Sequence, residues 1–173
     1  MLAADETILR LFPPLRQAWG VRGEQVCVPV TGNNARRVLF GAVNVRTGHR
    51  VLRRGRSMRQ GEVHAFLREL RSRYRSRRRL WLLLDRHGSH DSKATRELAA
   101  SMRIELLFLP KQCPELNPMD HLWRHAKGVV SANRQYDTID QQAGAAEDWF
   151  LWLTPNEARR KAGMLSKNFW LVT

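Results

Sequence analysis

Short apolar runs punctuated by turn residues fill the first third of the chain. Gln25-Val26-Cys27-Val28-Pro29-Val30 reads as a short β run, closed by the turn cluster Thr31-Gly32-Asn33-Asn34. Arg37 to Val45 is a longer strand pattern, and Arg46-Thr47-Gly48-His49 is a hairpin turn leading into Val51-Leu52. The period then changes. Val63, Phe66, Leu67, Leu70 and Tyr74 recur at helical spacing with arginines on the opposite face. Leu80 to Leu84 is uninterrupted apolar sequence ending at Asp85, the pattern of a strand buried on both faces. Ala94, Leu98, Ala99 and Met102 predict a short helix, and Ile104 to Leu109 another buried strand that Pro110 stops. That strand–helix–strand unit implies parallel neighbours joined by a right-handed crossover.

The last third is helical. Asn117 has the character of an N-cap, with Pro118 at the first helical position. Met119, Leu122, Trp123, Ala126 and Val130 would form the buried stripe, and Ile139, Ala143, Ala146, Phe150 and Leu153 that of a second helix. Thr154-Pro155-Asn156-Glu157 is a capping box opening a third, which Gly163 ends. Antiparallel strands, then alternating strand and helix, then helices predict an α/β layered fold with a mixed sheet. No repeat, linker or break in composition divides the chain, so residues 1–173 read as one domain.

Composition narrows the class. With 43% hydrophobic and 27% charged residues over 173 positions, the chain is neither disordered nor collagen-like and can bury a core without disulfides. No apolar run approaches the ~20 residues of a membrane span, so no membrane partner is expected. Cys27 and Cys113 lie far apart with no CxxC, which suits a reducing, cytoplasmic setting. Charge is the sharpest signal: thirty Lys+Arg against sixteen Asp+Glu gives +14, and twenty-five of the thirty are Arg. Thirteen arginines and two acids, Glu62 and Glu69, fall between Arg46 and Arg79, a local balance of +11. That concentration points to a polyanion partner more than to scattered compositional drift.

Phosphate-binding glycine loops and a GxSxG elbow are absent, and His87-x-x-His90 without further Cys or His is a poor zinc site. The scarce carboxylates are more informative. Asp5 follows Leu2-Ala3-Ala4 in the expected first strand, Asp85 ends the most hydrophobic strand, and Asp120 lies three residues after Asn117. Acids converging at strand ends repel one another and are neutralised by divalent cations, whose hard oxygen preference fits Mg²⁺ or Mn²⁺. Each also has a plain structural reading. Asp120 could complete the Asn117 cap, Asp85 could bond to backbone at the strand end or pair with Arg86, and Asp5-Glu6 could be solvated near a terminus.

Leu80-Trp81-Leu82-Leu83-Leu84-Asp85-Arg86-His87-Gly88-Ser89-His90 and the later Leu109-Pro110-Lys111-Gln112-Cys113-Pro114-Glu115-Leu116-Asn117-Pro118-Met119-Asp120-His121-Leu122-Trp123 resemble one family. It is the catalytic domain of bacterial insertion-sequence transposases of the mariner superfamily (the insertion sequence 630 type, with a DDE or DDD endonuclease domain). The thirty-four residues between Asp85 and Asp120 match the mariner branch. Asp5-Glu6, Trp19-Gly20, Gly41-Ala42 and the tail from Ala162-Gly163 to Phe169-Trp170-Leu171 extend the similarity over nearly the whole chain. Asp120 departs from the glutamate usual in the insertion-sequence branch and agrees with the aspartate of mariner relatives. Family members carry helix-turn-helix segments ahead of this domain. The resemblance therefore implies a catalytic domain alone, with a separately encoded helix-turn-helix partner or an origin as a truncated copy.

The resemblance further implies an RNase H-like five-stranded mixed sheet flanked by helices. It implies Asp5, Asp85 and Asp120 as catalytic ligands of two Mg²⁺ or Mn²⁺ ions, with double-stranded DNA (element ends and target) as substrate and a homodimer when active. His90 and Asn117 would be supporting residues. Arg71, Arg73, Arg75, Arg77, Arg78 and Arg79, with Lys111, Arg124 and Lys127, would contact the DNA backbone. The setting would be a bacterial cytoplasm, at the nucleoid. Two other readings compete: an inactive DNA-binding transposase fragment, and an RNase H-like nuclease acting on other nucleic acids.

Overall fold

The computed structural model describes residues 1–171. Its strands are β1 (Leu2–Arg10), β2 (Arg36–Asn44), β3 (Arg50–Gly55), β4 (Leu80–Leu84) and β5 (Ile104–Phe108). They form one sheet in the order β3-β2-β1-β4-β5. β2 is antiparallel to β1 and β3, whereas β4 is parallel to β1 and to β5. The helices are α1 (Gln60–Arg73), α2 (Lys93–Ser101), α3 (Pro118–Val130), α4 (Ile139–Trp152) and α5 (Pro155–Lys161). The mixed sheet and both predicted strand–helix transitions are as the pattern implies. No helix among the described residues is long and apolar enough to cross a membrane.

Strand alternation divides the core into two layers. Leu2, Ala4, Val38, Phe40, Leu82 and Leu84 point to the side covered by Val63, Phe66, Leu67 and Leu70 of α1 and Ala99 of α2. Ala3, Leu9, Leu39, Val43 and Leu83 point to the other side, under Met119, Leu122 and Trp123 of α3 and Phe150 of α4. β4, with Leu82 and Leu84 in one layer and Leu83 in the other, reads as a continuous apolar run for this reason.

One expectation fails. Residues 25–30 form no strand; Leu11 to Ala35 is an irregular excursion whose ends meet through Leu11 N–H to the Ala35 carbonyl at 2.8 Å. Val26 and Val30 are exposed, and Pro29 has no amide to give a ladder. Alternation makes a strand only where a neighbouring strand and a core face await it. The excursion is pinned instead by Asn133, which accepts from the Arg16 amide and donates to the Arg16 carbonyl, both at 2.8 Å.

Glycine at one core position governs how α3 seats. Gly41 pairs with Asp5 across the β1–β2 ladder. A methyl group there would come within 2.3 Å of Met119 Cε and 2.6 Å of Trp123 Cζ2. The absent side chain lets α3 lie directly over β1 and β2, which brings Asp120 to the Asp5 face.

Candidate active site

Three segments build the site at the carboxyl ends of the parallel strands, where ligands of open α/β sheets collect. The β1–β4 register, Leu2 beside Leu82 and Ala3 beside Leu83, carries forward to set Asp5 next to Asp85. Both fall on the α3 side by alternation. The third segment is fixed by Asn117, which is buried. Its Oδ1 accepts from the Met119 amide at 3.0 Å as the α3 cap, and its Nδ2 donates to the Ala4 carbonyl at 2.9 Å. One side chain thus starts the helix and ties it to the strand residue before Asp5. Asp5, Asp85 and Asp120 consequently line one cleft of about 680 Å³, together with Glu6, Lys111 and Lys127.

The carboxylates sense one another. Burial, then the charges of Glu6, Asp120 and Asp85, push the Asp5 carboxyl up to about 8. Asp85 is held below the usual carboxylate range by the hydrogen bond from His90, aided by the His87 amide at 3.1 Å. Burial lowers the Lys127 ammonium, with Asp120 and Asp5 opposing that. Asp120 is bound by Arg124 one turn along α3, at 2.6 Å.

Glu6 was not among the expected site residues, and the solvated reading of Asp5-Glu6 is wrong for it. Its side chain is only 4% exposed and meets His90 Nε2 at 3.0 Å, while His90 Nδ1 meets Asp85 Oδ1 at 2.7 Å. Desolvation alone would lower the His90 imidazole; hydrogen bonds to Asp85 and Glu6, with their charges, raise it to about 10. A charged imidazolium therefore clamps Asp85 to the first strand. The sequence signal was available: adjacent acids in an alternating strand face opposite ways, so one must enter the α1–α2 side and find a cation. Asp85 does not pair with Arg86, whose guanidinium lies over Phe108 at 5.7 Å. His87 bonds Ser89 and meets the His90 ring edge to face at 5.7 Å, while both His90 nitrogens face carboxylates.

The fit of the site to divalent cations rests on its donors: carboxylate oxygens from three elements lining one cleft, with the Asp5 carboxyl desolvated and pushed up to about 8. Among the described residues, no three His, Cys, Asp or Glu groups already stand close enough to hold an ion. Asp85 and Asp120 are each turned onto a basic side chain, His90 and Arg124, so a cation would have to compete for Asp120.

The expected DNA contacts separate. Lys111 and Lys127 border the acidic cleft, and Arg124 sits against it through Asp120. Arg71, Arg75, Arg77 and Arg78 do not: they line a different concavity at the opposite end of the sheet. Arg77 and Arg79 border a hollow beside the start of β4, and Arg73 faces β3 and α4. The reason is geometric. These arginines precede β4 and Asp85 follows it, and five residues at ~3.3 Å each put roughly 16 Å between them.

A five-stranded mixed sheet with helices on both faces, carrying carboxylates from β1, the end of β4 and the first turn of α3, is the architecture of an RNase H-like endonuclease domain. Comparison with known proteins makes this specific. The chain belongs to the DDE superfamily endonuclease family, whose profile matches residues 1–142. It is 26% identical over 138 residues to the insertion element IS630 uncharacterized 39 kDa protein of Shigella sonnei, covering 79% of this chain and 40% of that one. It is 38% identical over 61 residues to the transposable element Tcb2 transposase of Caenorhabditis briggsae, covering 32% of this chain and 22% of the relative. Among solved structures, the Mos1 transposase paired-end complex with left transposon end superposes with a TM-score of 0.75 at 19% identity, over 97% of this chain and 52% of that one. The Mos1 mariner paired-end complex with Mn gives 0.73 at 18% identity, over 95% and 52%. The chain therefore spans about half or less of the length of these relatives.

Proposed function

We propose that the cleft of Asp5, Asp85 and Asp120 cuts DNA phosphodiester bonds with divalent metal, as the catalytic domain of a transposase of the IS630 and mariner type. Element ends would be cleaved and then joined to target DNA. The observation that carries the reading is the convergence of three carboxylates from separate elements, Asp5, Asp85 and Asp120, on one cleft. Bound Mg²⁺ or Mn²⁺, two ions held by Asp5, Asp85 and Asp120, would supply activation of the attacking hydroxyl and neutralisation of the leaving 3′ oxygen.

The chain's own groups have definable parts in this. Asp5 would have to be in its carboxylate form to hold a cation. His90, bonded to Glu6 behind it, fixes the orientation of Asp85. Arg124 is freed when Asp120 turns inward and is then available to a phosphate oxygen. Lys127 and Lys111 present ammonium groups from the wall and rim of the cleft. Positioning and charge neutralisation account for the chemistry without a covalent intermediate.

The test is strand cleavage of element-end duplex in Mg²⁺ or Mn²⁺. Asp85→Ala and Asp120→Ala should abolish cutting while duplex binding stays level or tightens. Cutting by either variant at the wild-type rate removes that residue from the site. Wild-type binding without cutting identifies a DNA-binding fragment instead, and preferential cutting of an RNA–DNA hybrid identifies a nuclease of the RNase H type.

A further inference from the structure

The arginines that the acidic cleft leaves unused form a site of their own. At the sheet end opposite the acids, Arg68 and Arg71 of α1, Arg75, Arg77 and Arg78 of the following loop, and Arg103 after α2 surround a concavity of about 710 Å³. The rest of its wall is three serines and Met102, with no carboxylate. None of the six arginines forms an ion pair among the described residues. Residues spanning 35 positions of sequence, Arg68 to Arg103, have been brought together with their charge uncompensated by any carboxylate, an arrangement that favours a bound polyanion.

The loop that carries them is built, not loose. Arg71 donates to the Arg77 carbonyl at 2.7 Å and to the Tyr74 carbonyl, and Tyr74 closes α1 through its amide to Leu70. Arg103 takes positive φ, 57°, and its carbonyl accepts the Leu80 amide at 3.0 Å. Arg71 is thus spent on the backbone, leaving Arg68, Arg75, Arg77, Arg78 and Arg103 to face outward. The track continues: Arg77 is shared with the adjoining hollow, whose rim adds Arg46 from the β2–β3 turn and Arg79.

We infer that this surface binds the backbone of a second stretch of duplex DNA, distinct from the stretch at the carboxylates. An extended row of guanidiniums across one end of a sheet suits successive phosphates rather than one small anion. Six guanidiniums and three serines around a single apolar residue, Met102, make the concavity a poor match to a membrane. The length of β4, roughly 16 Å, keeps its ligand away from Asp85. A molecule so built holds one DNA segment for chemistry and another for position. The inference does not depend on the carboxylates being active.

The experiment uses the full chain in EDTA, so that cleavage plays no part. Binding of a fluorescent duplex is followed against salt for wild type, for Arg75→Ala/Arg77→Ala/Arg78→Ala, and for Lys111→Ala/Arg124→Ala/Lys127→Ala. All three loop arginines are exposed, so substitution spares the core. Each backbone contact removed should lower the slope of log affinity against log salt by about 0.9, hence roughly 2.7 for the arginine triple. The cleft triple should lower it separately. Wild type on an immobilised duplex should retain a second, free duplex. The arginine triple should lose that bridging while still binding one, and the corresponding triple lysine variant should keep it. An unchanged slope with unchanged bridging overturns the inference, as does tighter binding of a single strand or an RNA duplex to the same arginines. Failure of cleavage by wild type would leave this result untouched.

Discussion

Replacing Asp5 with Asn tests the electrostatics of the cleft without touching its shape. The carboxyl titrates at about 8 in the folded chain, against 3.8 when unperturbed, because burial and then Glu6, Asp120 and Asp85 disfavour its charge. The folded state therefore keeps a proton that the unfolded chain releases between those values. Stability is full below about pH 4 and is lost as pH rises through 8. At roughly 1.4 kcal/mol per pH unit, the loss is on the order of 4 kcal/mol at neutral pH. Asn cannot ionise, so the variant escapes the loss. Chemical denaturation at pH 5, 7 and 9 should show the Asn variant gaining on wild type as pH rises and levelling off above 8. The His90 contribution runs in the same direction, present below about 6.5 and lost towards 10, but its partners Asp85 and Glu6 remain in both proteins and it cancels in the difference. Millimolar Mg²⁺ should stabilise wild type most at pH 9, where the carboxylate is available, and the variant far less. Parallel pH curves for the two proteins would show that Asp5 is not the strained carboxyl described.

Three further substitutions probe how the site is assembled. Gly41→Ala should cost about 1–3 kcal/mol and impair cleavage, because its methyl group displaces Met119 and Trp123 and lifts α3 from β1; unaltered denaturation midpoints would contradict this. Asn117→Ala should cost about 1–3 kcal/mol through the lost cap and the unpartnered Ala4 carbonyl, with Asn117→Asp restoring the cap alone. Glu6→Gln should move the His90 imidazole down from about 10 towards its ordinary range in an NMR titration, and an unmoved resonance would mean that Asp85 alone holds the proton there.

The elements were legible where local pattern and tertiary demand agree. Leu80–Leu84 is apolar because four of its five residues are buried, on both sides of the sheet, and Asn117-Pro118 starts a helix by cap chemistry that needs no distant partner. The run at residues 25–30 misled because alternation reports what a strand could bury, not whether a neighbouring ladder exists to receive it. Glu6 was overlooked because its partner, His90, lies 84 positions away; only strand alternation hinted that it must turn inward.

The arginine block shows the same division. Composition revealed that the chain carries an excess of positive charge and where along the sequence it gathers. It could not reveal that β4 separates this charge from Asp85, leaving Lys111, Arg124 and Lys127 as the expected DNA contacts that lie near the acids. Sequence by itself marked Asp5, Asp85 and Asp120 as candidates, most of the strands and helices in their order, and the family resemblance, since short-range periodicity and motif spacing are written along the chain. The sheet order, the close approach of α3 at Gly41 and the two-ended distribution of charge were decided only by packing. They depend on which residues far apart in sequence share a face, and no local pattern encodes that distance.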